Sequence, residues 1–236
     1  MLFYWCVFTT TDKPNTYLDM CGISYKSMKR QNSITKDDTV LLLCDAITAK
    51  RAELIDCFKD VKLVIVPQPK TVFEGAFLRY RLPEFYPLEN GQECCYLDCD
   101  MVCVKGFRVK VPPSILLAYP EGAPTDSNYC GDRPLPLPYG CSSTFFAFSY
   151  SPLIKSILYS VTQNVSKQYY TLDQPYYNRT LNIFQHNVRY FPNNLISFNG
   201  HNTTPSTIFV NLCGEPGNAD FHWTKMVRMI DDTLFE

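Results

Sequence analysis

Two carboxylates one residue apart, Asp98 and Asp100, are the residues of this chain best suited to chemistry. They follow an apolar run at 93–97 (Glu-Cys-Cys-Tyr-Leu), so a buried strand would deliver both at its end. Carboxylates are hard oxygen ligands that suit Mg²⁺ or Mn²⁺. An ion held there acts as a Lewis acid and neutralises charge on phosphate oxygens. An Asp-x-Asp pair alone is a weak signal, because a solvated turn after a strand looks the same. Two more aspartates, Asp12 and Asp45, also follow apolar runs, at 2–8 and 39–44.

Other chemistries fit less well. Cys94, Cys95, Cys99 and Cys103 surround the carboxylates, and thiolates bind zinc. Three of them recur every four residues in a stretch that reads as strand and turn, which argues against a zinc cage. A Gly-x-Ser-x-Gly elbow is missing, as are the Gly-x-Gly-x-x-Gly and Gly-x-x-x-x-Gly-Lys loops. The 22 Lys and Arg residues nearly balance 23 Asp and Glu, with no basic stripe, so polymeric nucleic acid is excluded as a partner. A single nucleotide stays compatible, since it needs only a few placed contacts. His186 and His201 have no partner that spacing identifies.

The elements that must position these residues alternate. Strands are expected at 2–8, 39–44, 61–66 and 93–97, and helices at 16–30, 46–58 and 72–82, the last stopped by Pro83. Strand–helix alternation predicts an α/β fold with a mostly parallel central sheet and helices on both faces. Ligands of such sheets bind outside the carboxyl ends of the strands. Asp12, Asp45 and Asp98 would then face one crevice. Residues 111–138 are rich in Pro and Gly and read as a strand at 114–119 followed by a long loop of the kind that serves as a lid or binding loop. A strand at 140–148, helices at 151–161 and 173–183, a strand at 207–212 and an amphipathic helix at 218–234 complete the reading.

With 236 residues, 46% hydrophobic and 19% charged, the chain suits a single globular domain. The odd count of eleven cysteines does not read as a disulfide framework. No signal peptide and no apolar run of about 20 residues is visible, so a soluble cytoplasmic protein with reduced thiols and no transmembrane segment is expected. The three Asn-x-Ser/Thr matches at Asn164, Asn178 and Asn202 then read as chance.

Tyr96-Leu97-Asp98-Cys99-Asp100 resembles the Asp-x-Asp motif of glycosyltransferases with the Rossmann-like GT-A fold, especially family 8, which includes glycogenin. Other segments agree in order. Val7-Phe8-Thr9-Thr10-Thr11-Asp12 resembles the family's first strand and nucleoside loop, and Phe77-Leu78-Arg79-Tyr80-Arg81-Leu82-Pro83-Glu84 its Arg-then-Pro helix. Leu172-Asp173-Gln174-Pro175-Tyr176-Tyr177-Asn178 resembles its Asp-Gln segment, and Ile208-Phe209-Val210-Asn211-Leu212-Cys213-Gly214 its late strand ending in His-x-x-Gly. Each piece is short, but several in the right order cover most of the chain.

The resemblance implies transfer of a hexose or deoxyhexose from a UDP-sugar donor to a saccharide hydroxyl, with retention of configuration and Mn²⁺ or Mg²⁺ as cofactor. It also implies a nucleotide-binding half in residues 1–105 and an acceptor half with a closing C-terminal segment in 106–236. It assigns Thr9, Thr10, Thr11, Asp98 and Lys225 to the nucleotide, and Arg79, Asp173 and Gln174 to catalysis. Arg79 would pair with phosphate or with a carboxylate near the sugar, which suits its forked donors. Asp98 and Asp100 would hold the metal. The family's third ligand is a His where this chain has Asn211; either the Asn211 carbonyl oxygen or His222 would replace it. The family's Lys-Pro-Trp is also missing, with His222-Trp223-Thr224-Lys225 the nearest substitute. Plainer readings stand beside these: Thr9–Thr11 as a polar turn, Arg79 as a surface helix residue, Asp173 as a helix N-cap, and His222 as a packed side chain. Two rival functions also remain, a non-catalytic sugar-nucleotide or glycan-binding module and a sugar-phosphate nucleotidyltransferase. The second usually has a Gly-rich basic loop after its first strand, which residues 9–15 lack.

Overall fold

The computed structural model describes residues 1–12, 16–163, 173–200 and 203–212. Among these, a seven-stranded sheet runs in the order β3-β2-β1-β4-β7-β6-β8. Its strands are β1 (Leu2–Val7), β2 (Thr39–Cys44), β3 (Lys62–Ile65), β4 (Glu93–Leu97), β6 (Leu116–Gly122), β7 (Gly140–Ser149) and β8 (Val188–Tyr190). The β1–β2, β1–β4, β2–β3 and β6–β8 pairs are parallel, and only β7 runs against its neighbours β4 and β6. A smaller sheet, β5 (Met101–Cys103), β10 (Phe209–Asn211) and β9 (Ile196–Phe198), stands beside it.

Strand periodicity divides the apolar residues between two faces. Phe3, Trp5 and Val7 of β1 point to one side with Leu42, Cys95 and Leu97. Leu2 and Tyr4 point to the other with Leu41, Leu43 and Tyr96. On the first face lie α1 (Tyr17–Arg30) and α2 (Ala46–Ala52), contributing Leu18, Cys21, Tyr25, Met28, Ala49 and Ala52. On the second lie α6 (Pro152–Thr162) and α7 (Gln174–Ile183), contributing Ile154, Ile157, Leu158, Tyr177 and Leu181. β1, β2 and β4 are covered on both faces, so their residues read as continuous apolar runs, whereas β3, at the sheet edge, leaves Lys62 and Ile65 exposed.

The stretch expected as one helix over 72–82 is three pieces: α3 (Val72–Ala76), a 3₁₀ turn (Phe77–Tyr80) and α4 (Leu82–Phe85). The break has local causes. The Ala76 carbonyl accepts from Arg79 Nε at 2.9 Å instead of continuing the α-helical ladder. Tyr4 Oη donates to the Arg79 carbonyl at 2.9 Å, and Pro83 lies in the first turn of the next helix. Gly75 packs so closely on Phe8 that a Cβ would lie 2.1 Å from its ring. The 46–58 helix likewise ends at Ala52, with a separate 3₁₀ turn at Asp56–Phe58. Residues 111–138 carry the strand β6, beginning two residues later than expected, and a single helical turn, α5 (Ser127–Cys130). The strands β5, β8 and β9 have no counterpart in the sequence reading; each is three residues long, too short for a period to show.

At the centre of the second face, Phe146 stacks on Tyr96 (centroids 5.0 Å) and on Tyr80 (5.6 Å), and lies 5.7 Å from Tyr177. It is fully buried. Truncating such a ring removes its transfer energy and leaves a cavity, so Phe146→Ala is expected to cost about 3–5 kcal/mol in urea unfolding. A loss below about 1 kcal/mol would mean that this aromatic column is not what joins β4, β7, α7 and the 3₁₀ turn.

Candidate active site

Parallel strands put their carboxyl ends along one sheet edge, and β7, running the other way, brings its first residues to that same edge. Asp98 directly follows β4, and its backbone N–H donates to the Thr144 carbonyl at 2.9 Å. Its carboxylate accepts from the Tyr96 hydroxyl and pairs with Arg79 Nη1 at 3.0 Å. Arg79 also donates to the Ser143 carbonyl at 3.0 Å and lies over the Tyr96 ring. Its Nε stands 3.7 Å from an Asp173 oxygen that accepts from Tyr80 Oη at 2.6 Å. Arg79, Asp98 and Asp173 are thus one buried ionic group, with side chains 13%, 19% and 7% exposed. The structure therefore excludes the reading of Arg79 as a surface residue. Asp173 does precede α7, but its side chain caps no N–H and turns to Tyr80 and Arg79 instead.

Gln174 is engaged on both amide atoms: Ser143 N–H donates to Oε1 at 3.1 Å, and Nε2 donates to the Asn128 carbonyl at 3.3 Å. One turn later, Asn178 clamps the first residues of β7 through both Cys141 backbone groups at 2.7 Å. The Asp-Gln-x-x-x-Asn spacing therefore fastens α7 to the strand that supports Arg79.

The Thr9–Thr11 loop adjoins the same edge. Thr9 is buried, its hydroxyl donates to the Thr11 carbonyl, and Gln68 Nε2 donates to both from 3.3 Å. Asp45, expected to face the crevice, is fully buried and structural. It caps α2 through the Ile47 and Thr48 N–H groups at 2.9 and 3.0 Å and holds the Thr9 N–H at 2.7 Å. Asp12 is exposed beside residues 13–15, which are not described.

Asp100 and Asn211 complete the geometry. β10 pairs with β5 in the register Asn211↔Met101, and Leu212 N–H donates to the Asp100 carbonyl at 3.0 Å. Asn211 is fully buried. Among the described residues, Asp100 Oδ1 and both amide atoms of Asn211 are buried without a hydrogen-bond partner. Each such orphan costs about 1–3 kcal/mol in a folded chain. With Asp98, Asp100 and Asp173 all ionised, the cluster would set one guanidinium against three carboxylates, a deficit of two charges that a divalent cation would balance. No group of three His, Cys, Asp or Glu side chains could hold a metal among the described residues. The chemistry of Asp98, Asp100 and the Asn211 amide oxygen nonetheless matches the oxygen donors that a hard divalent ion takes. His201, Cys213, Gly214, His222, Lys225 and the expected helix at 218–234 lie outside the described residues.

The surroundings shape the charges. Burial disfavours the Arg79 charge, but Asp173 and Asp98 outweigh it and hold the guanidinium far above its usual range. Burial pushes the Asp98 carboxyl up, against Arg79 and the Tyr96 hydroxyl, which favour its charged form. Burial and then the Asp98 charge push Asp100 up to about 7. Three tyrosines of the site were missed in the sequence reading. Tyr80 adjoins Arg79 and Tyr96 stands two residues before Asp98, on the same side of the strand, so both were within reach of a periodicity argument. Tyr17 opens α1, is 41% exposed, and has its phenol pushed up by burial and by Cys99, Asp100 and Asp98. Nothing in its local sequence indicates that approach.

A carboxyl whose folded pKa exceeds its unfolded value binds more protons when folded, so stability falls as pH rises between the two values. For metal-free protein the Asp100 contribution is therefore complete below the unfolded value of about 4 and lost as pH climbs through about 7. Asp100→Asn is expected to flatten the pH dependence of the urea midpoint across that window, measured in EDTA. An unchanged slope would mean that Asp100 ionises freely in the fold.

No protein-family model matches the chain, and no curated protein does either. Solved structures match in fold. LgtC, solved as an active-site mutant, superposes with a TM-score of 0.63 at 12% identity over 97% of this chain and 96% of its own. The bifunctional glycosyltransferase WbbM gives 0.61 at 12% identity, over 90% of this chain and 45% of its own. The glycosyltransferase GlyE of Streptococcus pneumoniae gives 0.59 at 13% identity, over 99% of this chain and 62% of its own. The chain thus spans about half to two thirds of two of these proteins and nearly all of the third. Its fold is the Rossmann-like, GT-A-type fold of these glycosyltransferases.

Proposed function

We propose that this chain is a metal-dependent glycosyltransferase that moves a sugar from a nucleoside-diphosphate donor, UDP by the motif resemblance, to a saccharide hydroxyl with retention of configuration. The observation that carries this reading is the Asp98–Asp100 turn at the end of β4. One of its carboxylates is clamped by buried Arg79, and the other keeps a buried oxygen without a partner among the described residues. The fold of the matching structures agrees with it. In LgtC the active-site substitution replaces a glutamine by glutamate, so that enzyme has a glutamine in its active site. Gln174, beside Asp173 at the start of α7, is the residue we assign to a comparable place.

Asp98, Asp100 and Asn211 would hold Mn²⁺ or Mg²⁺, with His222 the other candidate for the third place. When bound, the ion supplies Lewis-acid neutralisation of the diphosphate leaving group. The protein's own groups do the positioning. The Thr9–Thr11 loop, fixed by Asp45 and Gln68, offers backbone groups and hydroxyls to the nucleoside. Tyr17 presents a ring on which a base can stack. Arg79 fixes the Asp98 carboxylate in one orientation, so little reorganisation is needed when charge develops on the leaving group. Asp173, held by Tyr80 and Arg79, and Gln174 face the transferred sugar and the acceptor. The Gly/Pro-rich stretch from β6 to β7 supplies acceptor contacts. All ten cysteines among the described residues are free, which suits a reducing compartment such as the cytoplasm. No helix among the described residues is long and apolar enough to cross a membrane.

A thermal-shift titration with UDP, UMP, GDP and CDP, each with and without Mn²⁺, tests the reading. Binding to the folded state alone raises the midpoint with saturation. The expected result is a shift with UDP that requires Mn²⁺ and disappears in Asp100→Ala. That variant should also lose transfer by roughly 10²–10³, the scale set by one preorganised electrostatic partner of a leaving group. No shift with any nucleotide would make the aspartates structural. A UDP shift without hydrolysis or transfer of any UDP-sugar would instead indicate a binding module.

A further inference from the structure

We propose that the cation site of this chain is built from oxygen donors alone, with the Asn211 amide oxygen as third protein ligand, and that it therefore takes Mg²⁺ about as readily as Mn²⁺ and gains little from Zn²⁺, Co²⁺ or Ni²⁺. The inference rests on the metal-dependent reading above and goes beyond it by assigning the donor atoms and the ion selectivity that follows.

Asn211 carries the argument. It occupies the last position of β10, a three-residue strand in which Phe209 and Val210 are also buried. Asparagine is poorly suited to a strand, and an apolar residue would fill such a place at lower cost. Its backbone is part of the sheet: it stands opposite Met101 of β5 and Phe198 of β9, and its carbonyl accepts from Asn199 N–H at 2.8 Å. The side-chain amide is fully buried, and neither of its polar atoms has a partner among the described residues. The next residue, Leu212, is tied to the Asp100 carbonyl, and Asp100 carries the other unpartnered oxygen. Three orphaned polar atoms on two residues held together by the backbone are the pattern of a site awaiting a ligand.

Among the described residues, softer donors are directed elsewhere. Cys99, between the two aspartates, packs against the apolar cluster of Met20, Val102, Val210 and Leu212. His186 is exposed and lies just before β8, at the sheet edge opposite the carboxyl ends. Carboxylate and carbonyl oxygens suit Mg²⁺ and Mn²⁺, whereas imidazole suits Zn²⁺, Ni²⁺ and Cu²⁺. An amide that gives its oxygen to the ion keeps its NH₂ free to donate to a bound phosphate oxygen.

Pulsed EPR of the Mn²⁺–UDP complex of the full chain tests this directly. The expected spectrum lacks imidazole ¹⁴N coupling, and Asn211→His introduces it. In calorimetric competition that variant should shift preference toward Zn²⁺ and Co²⁺ over Mg²⁺ by roughly tenfold or more, the range in which ligand surroundings alter metal affinity. An imidazole signal in the unaltered protein that vanishes in His222→Ala would overturn the proposal and give the third place to the C-terminal segment. Mn²⁺ bound without nitrogen coupling, with unchanged affinity in Asn211→Ala, would overturn it too while leaving the metal-dependent reading intact. Absence of any Mn²⁺ binding with UDP would remove both.

Discussion

The buried guanidinium of Arg79 is the constraint on which the rest of the site depends. It joins Asp98 at the end of β4, Asp173 at the start of α7 and the Ser143 carbonyl of β7, three segments far apart in sequence. A cation so enclosed is tolerable only because carboxylates and carbonyls surround it; removing any partner leaves charge without compensation, at a cost of several kcal/mol. Its own backbone is bent to reach them. The 3₁₀ turn that carries Arg79 forms because the side chain takes the Ala76 carbonyl and Tyr4 takes the Arg79 carbonyl. Local geometry and long-range electrostatics thus specify the same conformation, the agreement between levels that gives a sequence a single native state.

Much of this was legible in the sequence, and the boundary follows physical lines. The parallel block was readable because strands covered on both faces leave long apolar runs such as 39–44 and 93–97, each ending in an aspartate. The Asp98–Asp100 pair was readable by position, and Arg79, Asp173 and Gln174 by the order of short motifs. The break in the 72–82 helix was not, because Gly75 and Pro83 mark a disturbance without saying which carbonyl is diverted. Asp45 looked the same as Asp98 in sequence, an acid closing an apolar strand. What separates them lies downstream: a helix begins at once after Asp45 and its free N–H groups claim the carboxylate, whereas a turn follows Asp98. The three-residue strands β5, β8 and β9 left no periodic trace, and two of them place Asn211 through pairing rather than through any local pattern.

The same contrast explains how the edge divides its work. Asp45 satisfies two α2 N–H groups and the Thr9 N–H, so it stiffens the Thr9–Thr11 loop from behind. Asp98 and Asp100 have no helix to satisfy: Arg79 and Tyr96 hold the first, and the second keeps a buried oxygen without a partner among the described residues. Rigid support and available donors are thereby given to different residues of similar appearance.

The reversed direction of β7 has a consequence for how such a site can change over generations. A parallel strand in that place would offer its carboxyl end and the side chains of a following loop. β7 instead meets the site with its opening residues, and what it gives Arg79 and Asp98 are the carbonyls of Ser143 and Thr144. A carbonyl is present whatever the side chain, so the ionic anchor places little demand on the identity of those two residues. They can be exchanged while the charged frame behind them stays fixed, so the start of β7 can vary in sequence without loosening the anchor.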